Sequence, residues 1–155
     1  MIEYQSCEGV VSDALLNELL PLFEGTFGPA PPDYLERVRH CPRLLLLVAR
    51  SDGRAVGYKL GYARELDVFY SWLGGVHPDF RQQGIARELL ERQHRWCAAR
   101  GFRLVLTETR TPFKSMLVLN LKQGFDVVGT SVDADGQLSV LLGKTLASAS
   151  DVLTP

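Results

Sequence analysis

The stretch HPDFRQQGIARELL, residues 77–90, sets Arg81, Gln82, Gln83, Gly84 and Ala86 at the point where an amphipathic helix begins. The helix is read from Ala86, Leu89, Leu90, Gln93, Trp96 and Cys97, which recur at helical spacing with charged residues between them. A helix start leaves backbone N–H groups without partners, and Ser, Thr, Asp or Asn normally accepts from them. Here Arg81, Gln82 and Gln83 stand in those places. Such a terminus is a ready anion site, because the donors converge and the helix dipole adds about half a positive charge. Gly84 and Ala86 leave room for a bulky anion against the backbone across 81–86, Ile85 included, and Arg81 can pair with it. The alternative is a turn satisfied by water.

Missing motifs narrow the anion. No GxxxxGK[ST] is present, so the lysine and hydroxyl that hold a nucleotide γ-phosphate and its magnesium are lacking. No GxGxxG precedes an acidic residue about 20 positions on, so the dinucleotide fingerprint is lacking too. A diphosphate that needs no metal remains. Just upstream, Gly74 and Gly75 interrupt the β-rich run VFYSWLGGV (68–76). Two glycines there imply a bulge, a close approach by a ligand, or a bend that relieves crowding.

The elements that must position this turn follow from periodicity and punctuation. Residues 2–6 read as a strand, and Ser12 as the N-cap of a helix with stripe Leu15, Leu16, Leu19 and Leu20, which Pro21 should end or kink. GTFGPAPP (25–32) reads as a loop, and Asp33 with Glu36 as a capping-box-like start of a short helix stopping before Pro42. Strands 44–50 and 54–63 flank Asp52-Gly53, a strong hairpin signal, and a reversal at 64–67 leads into 68–76. After the helix of about 84–100, ended by Gly101, come a strand at 103–107, a helix at 113–123 stopped at Gly124, and strands 125–132 and 137–146 around Asp135-Gly136. The order β-α-α-β-β-β-α-β-α-β-β implies an α+β fold, a mixed and largely antiparallel sheet of about six to seven strands flanked by about four helices. We read one domain over 1–146 and a flexible tail over 147–155.

Val76, Pro78, Arg81, Gln82, Gly84, Ile85 and Ala86, followed by the amphipathic helix and by Lys122-Gln123-Gly124-Phe125, resemble the GNAT superfamily of N-acetyltransferases. The match is carried by residues 68–130 and by element order from 44 to 146, and it does not reach 1–43. The resemblance implies that the turn from Arg81 through Gln82, Gln83, Gly84 and Ile85 to Ala86 binds the pyrophosphate of acetyl-CoA. It also implies that a backbone N–H at Val76 or its neighbours Gly74 and Gly75 stabilises the thioester oxyanion.

Acetyl transfer to an amine needs a neutral nucleophile, a stabilised oxyanion and a proton for the departing thiolate. An alkylamine with a pKa of ~10.4 is neutral to roughly a thousandth or less at pH 7, so a base or a water chain is required. Many members of the resembled family carry a tyrosine four residues before the Gly of GF, where this chain has Asn120, and an asparagine seven residues earlier, where it has Phe113. An amide hydrogen-bonds but does not donate a proton to a thiolate. Asn120 is thus a candidate for orienting the thioester or simply a helix-end residue, and Tyr70, Tyr58, Tyr62, Ser115 or water remain as donors. Glu108 and, through a water, Tyr70 are the candidate bases; Glu108 paired with Arg110 at the surface is the plainer reading.

The resulting expectation is an acetyl-CoA-dependent N-acetyltransferase acting on a primary amine of a small molecule or peptide, with a non-catalytic acyl-CoA-binding domain as the alternative. Bulk properties agree. In 155 residues, 46% are hydrophobic and the net charge is −1, which argues against a surface built for nucleic acid or anionic membrane. Six arginines against two glutamates between 81 and 103 fall on several helix faces. Cys7, Cys41 and Cys97 lack CxxC spacing, His40, His77 and His94 lack ligand spacing, and no metal is expected. Without a leader-like N-terminus or a spanning apolar run, a cytoplasmic protein is expected. The last hairpin's exposed edge leaves a homodimer open.

Overall fold

A computed structural model describes residues 1–147. The elements run β1 (Ile2–Glu8), α1 (Asp13–Phe27), α2 (Tyr34–Arg39), β2 (Leu45–Ser51), β3 (Arg54–Ala63), β4 (Val68–Val76), a 3-10 turn (Pro78–Phe80), α3 (Ile85–Ala99), β5 (Leu104–Arg110), α4 (Lys114–Lys122), β6 (Asp126–Val132) and β7 (Leu138–Thr145). Seven strands form one mixed, mostly antiparallel sheet in the order β1-β2-β3-β4-β5-β7-β6, with β4 and β5 parallel. This is the expected α+β class. The described residues pack as two compact units, Met1–Ala63 with Trp72–Gln93, and Arg64–Ser71 with the described residues from His94 onward. Except for Ala147, the tail expected over 147–155 lies outside the described residues.

In the first unit, α1 and α2 bury Leu16, Leu19, Leu22, Phe23, Tyr34 and Val38 with Leu46, Val48, Tyr58, Leu60 and Leu73 of the sheet. Each such side chain contributes about 1.5–3 kcal/mol by leaving water. That stripe explains a departure from expectation: α1 does not end at Pro21 but continues to Phe27. Burial of Leu22 and Phe23 offsets the one backbone hydrogen bond a proline removes, and residues 25–27 of the expected loop are helical. Ser12 caps α1 as expected, its hydroxyl accepting from Leu15 N at 3.2 Å. Asp33 does not cap α2; its carboxylate takes Arg37 Nε at 2.9 Å instead. The β2–β3 reversal is tight because Asp52 and Gly53 both have positive φ, 49° and 79°. On the other face of β3, a Cβ at Gly57 would meet Ile85 Cγ2 at 3.1 Å, so the glycine lets the first turn of α3 sit against the strand.

In the second unit, Val68–Ser71 pairs in parallel with Leu104–Thr107, and Thr107 Oγ1 donates to Ser71 O at 2.8 Å. Phe69, fully buried, packs its ring 5.6 Å from Trp96 and 5.2 Å from Phe102. Gly101, at φ 82°, ends α3, and Phe102 N then reaches back to Cys97 O at 3.1 Å. β5 runs three residues beyond the expected 107, because its pairing with β7 continues through Glu108↔Leu141 to Arg110↔Ser139. β7 lies between β5 and β6, and β6 forms the outer edge.

Candidate functional site

The turn between β4 and α3 is built from sign-alternating backbone. His77 Nδ1 accepts from Asp79 N at 3.1 Å and His77 O from Phe80 N at 2.9 Å, closing the 3-10 turn. Arg81 is then extended, and positive φ follows at Gln82 (62°) and Gly84 (80°) on either side of Gln83. Alternation of this kind turns successive N–H groups toward one concavity, the geometry of backbone anion nests. Among the described residues, no protein acceptor takes the amides of Gln82, Gln83, Gly84, Ile85 or Ala86. The next amide with an assigned acceptor is Glu88, bonded to Gly84 O at 3.0 Å. Residues 81–84 are exposed, Ala86 is half-buried, and a Cβ on Gly84 would meet nothing within 4 Å. Arg81 Nε donates to Val76 O at 3.1 Å, tying the turn to the end of β4. The arrangement fits a diphosphate: unused amides, a helix dipole, an arginine and open space above a glycine.

The strand leading into the turn is crowded by its own chain. A Cβ at Gly74 would stand 3.2 Å from Tyr58 O of β3, and one at Gly75 would stand 2.8 Å from Thr26 Oγ1 of α1. Thr26 is held there by donating to Leu22 O at 3.1 Å. Val76 lies on the face of Gly57, its Cγ2 3.5 Å from that glycine's Cβ position. Tyr58 is 1% exposed, its Oη has no partner among the described residues, and burial raises its pKa. Burial likewise pushes Tyr34 up to about 12. Neither phenol is placed to ionise as a base at neutral pH.

Lys59 is a residue the sequence reading passed over. It is 8% exposed, and burial lowers its pKa to about 8. The available signal was a single charge in the otherwise apolar run AVGYKLGYA. Gln93, counted into the helical stripe from spacing alone, is fully buried, and neither of its amide atoms has a partner among the described residues.

The other candidates lie in the second unit. Asn120 of α4 is 1% exposed; its Nδ2 donates to Thr109 Oγ1 at 3.5 Å, and its Oδ1 has no partner among the described residues. Glu108 of β5 is exposed and accepts from Ser131 Oγ at 3.3 Å. Tyr70 is buried, with the Arg64 guanidinium 3.9 Å from its ring centroid. Each of the three thus has a different neighbour. Among the described residues no group of three or more His, Cys, Asp or Glu gathers as for a metal, and no helix is long and apolar enough to cross a membrane.

Residues 12–125 match the model of the acetyltransferase (GNAT) family. Compared with curated protein sequences, the chain finds no match. Among solved structures, it resembles the ribosomal-protein-S18-alanine N-acetyltransferase from Escherichia coli with a TM-score of 0.81 at 18% identity, covering 96% of each chain. It resembles Ard1 from Thermoplasma volcanium with a TM-score of 0.81 at 16% identity, over 94% of this chain and 99% of that one. An aminoglycoside 6′-N-acetyltransferase complexed with coenzyme A matches with a TM-score of 0.76 at 15% identity, over 92% of this chain and 97% of that one. At these identities the likeness is one of fold.

Proposed function

The chain belongs to the acetyltransferase (GNAT) family, and from that premise we propose that it is an N-acetyltransferase moving acetyl from acetyl-CoA to a primary amine of a small molecule or peptide. The observation that carries this reading is the turn at 81–86, where amides without protein acceptors and Arg81 surround open space. Acetyl-CoA supplies an activated acyl group on a thiolate leaving group, which takes a proton as it departs.

The chain's own groups do the rest. Arg81, Gln82, Gln83, Gly84, Ile85 and Ala86 hold the diphosphate, and the backbone at Gly74, Gly75 and Val76 directs N–H donors at the acyl end. Buried Asn120 orients the thioester side without supplying a proton, since an amide has none to give at this pH. Tyr70 or Glu108, acting through water, takes the proton from the incoming amine. Similarity to enzymes whose names specify a ribosomal protein alanine and an aminoglycoside supports an amine acceptor without choosing between them. A cytoplasmic enzyme, alone or as a homodimer, goes with this reading.

Incubation of the chain with acetyl-CoA and a panel of amines and peptides, followed by free-thiol release, tests it. Turnover with at least one amine is expected. Tight acetyl-CoA binding with no thiol release across the panel favours a non-catalytic acyl-CoA-binding domain, the role to which Asn120 in place of a tyrosine would fit.

A further inference from the structure

Lys59 is a buried charged residue of the first unit that neither the apolar core nor the turn makes use of. It lies in the middle of β3, paired in register with Leu47 of β2, on the face that two residues earlier carries Gly57 against Ile85. Its side chain crosses beside Gly74: a Cβ there would stand 3.5 Å from Lys59 Cδ and 3.7 Å from Nζ. Among the described residues Nζ has no hydrogen bond and no carboxylate partner, and burial alone accounts for its shifted ionisation. An amine with no partner on a residue only 8% exposed is unfavourable, and a methionine would fill the same space without that penalty. Its presence is explained if a ligand oxygen accepts from it.

We propose that Lys59 is a hydrogen-bond donor to the acyl carbonyl oxygen of the bound thioester, meeting it at Gly74 and acting together with the backbone amides of β4. The inference rests on the acetyl-CoA reading above. A carbonyl oxygen is neutral enough to enter a buried strand edge, yet it gains negative charge as an amine attacks. A cation waiting in a water-poor position is where that charge is best stabilised. CoA lacks this oxygen, so the same contact distinguishes acyl-CoA from spent CoA.

The test compares full-length wild type with Lys59→Met by calorimetry against CoA and against acetyl-CoA, and follows the resonance of acetyl-CoA labelled with 13C at its carbonyl. Wild type is expected to bind acetyl-CoA about tenfold more tightly than CoA, as one charge-assisted hydrogen bond allows. Lys59→Met should keep CoA affinity within about twofold and lose the preference, scaled to the same single bond. In wild type the bound carbonyl resonance should move downfield from its free position, and in the variant that displacement should shrink. A folded Lys59→Met that keeps the preference overturns the proposal. Should that variant fail to fold, Lys59→Gln replaces it, and an unshifted carbonyl resonance in wild type overturns the proposal without any variant. If wild type binds neither CoA nor acetyl-CoA, the reading of the turn fails first and this inference falls with it.

Discussion

Arg81 Nε donates to the carbonyl oxygen of Val76 at 3.1 Å, so the first residue past the 3-10 turn is anchored to the last residue of β4. The bond fixes where the chain leaves the strand. The left-handed residues Gln82 and Gly84 then give the backbone the alternation of an anion nest. An exposed arginine held by one nitrogen still has its two terminal nitrogens to offer, which suits a phosphate oxygen.

Arg81→Ala is therefore expected to weaken CoA binding by about 10–100-fold, the range for losing a charge-assisted contact. Because Arg81 is exposed, the melting temperature should hardly change. Arg81→Lys should recover only part of the loss, since lysine cannot both hold Val76 O and present a fork. Calorimetry at two salt concentrations checks this, and the loss should shrink at high salt.

Gly84 separates charge from shape. Its φ of 80° penalises most side chains, although the space beyond is open. Asn and Asp tolerate that conformation about equally and differ chiefly in charge. Gly84→Asp should abolish measurable CoA binding while Gly84→Asn retains it with a modest loss, both with similar urea midpoints. Equal affinities for the two variants would move the diphosphate elsewhere.

Gly75 tests the packing of α1 on β4. A Cβ there would lie 2.8 Å from Thr26 Oγ1, so Gly75→Ala is expected to destabilise the fold by about 1–3 kcal/mol, the usual scale of overpacking. Removing the hydroxyl in Gly75→Ala/Thr26→Ala should restore part of that, measured by denaturant unfolding.

Lys59 gives a pH signature in stability. Burial lowers its pKa to about 8 in the folded chain, against about 10.4 when unfolded. Between those values the unfolded state binds the extra proton, so stability rises with pH across that window, while below about pH 8 the full penalty applies. Wild type should gain on Lys59→Met by up to about 3 kcal/mol from pH 7 to pH 10.5, the free energy of a shift of this size. Unfolding both proteins in urea across that range reads the difference; a constant gap would mean that Lys59 titrates normally.

Much of this was legible in the residues because the deciding forces are local. Asp52-Gly53 supplies its own hairpin, Gly101 its own helix stop, and the absence of a cap before Gly84 points to the turn. Where the outcome depends on distant partners, the chain alone misleads. Pro21 is overridden by the core that Leu22 and Phe23 join, whereas the loss of the Asp33 cap is local, its carboxylate taking Arg37 four residues on. The insertion of β7 between β5 and β6 is a non-local choice that no period reveals. Lys59 went unnoticed because alternation assigns one face of a strand to water, whereas β3 is buried on both. What fills the space at Gly74 and Gly75 depends on where β3 and the end of α1 come to rest, which the glycines themselves do not encode.

The central claim is that the amides of residues 82–86 bind the diphosphate of an acyl-CoA. Titrating acetyl-CoA into uniformly 15N-labelled protein and following backbone amide resonances tests it most directly. The amides of Gln82, Gln83, Gly84, Ile85 and Ala86 should move together with one saturating dissociation constant, and CoA should reproduce most of the shift. Saturation with acetyl-CoA that leaves those five resonances in place, or no response at any concentration, would contradict it.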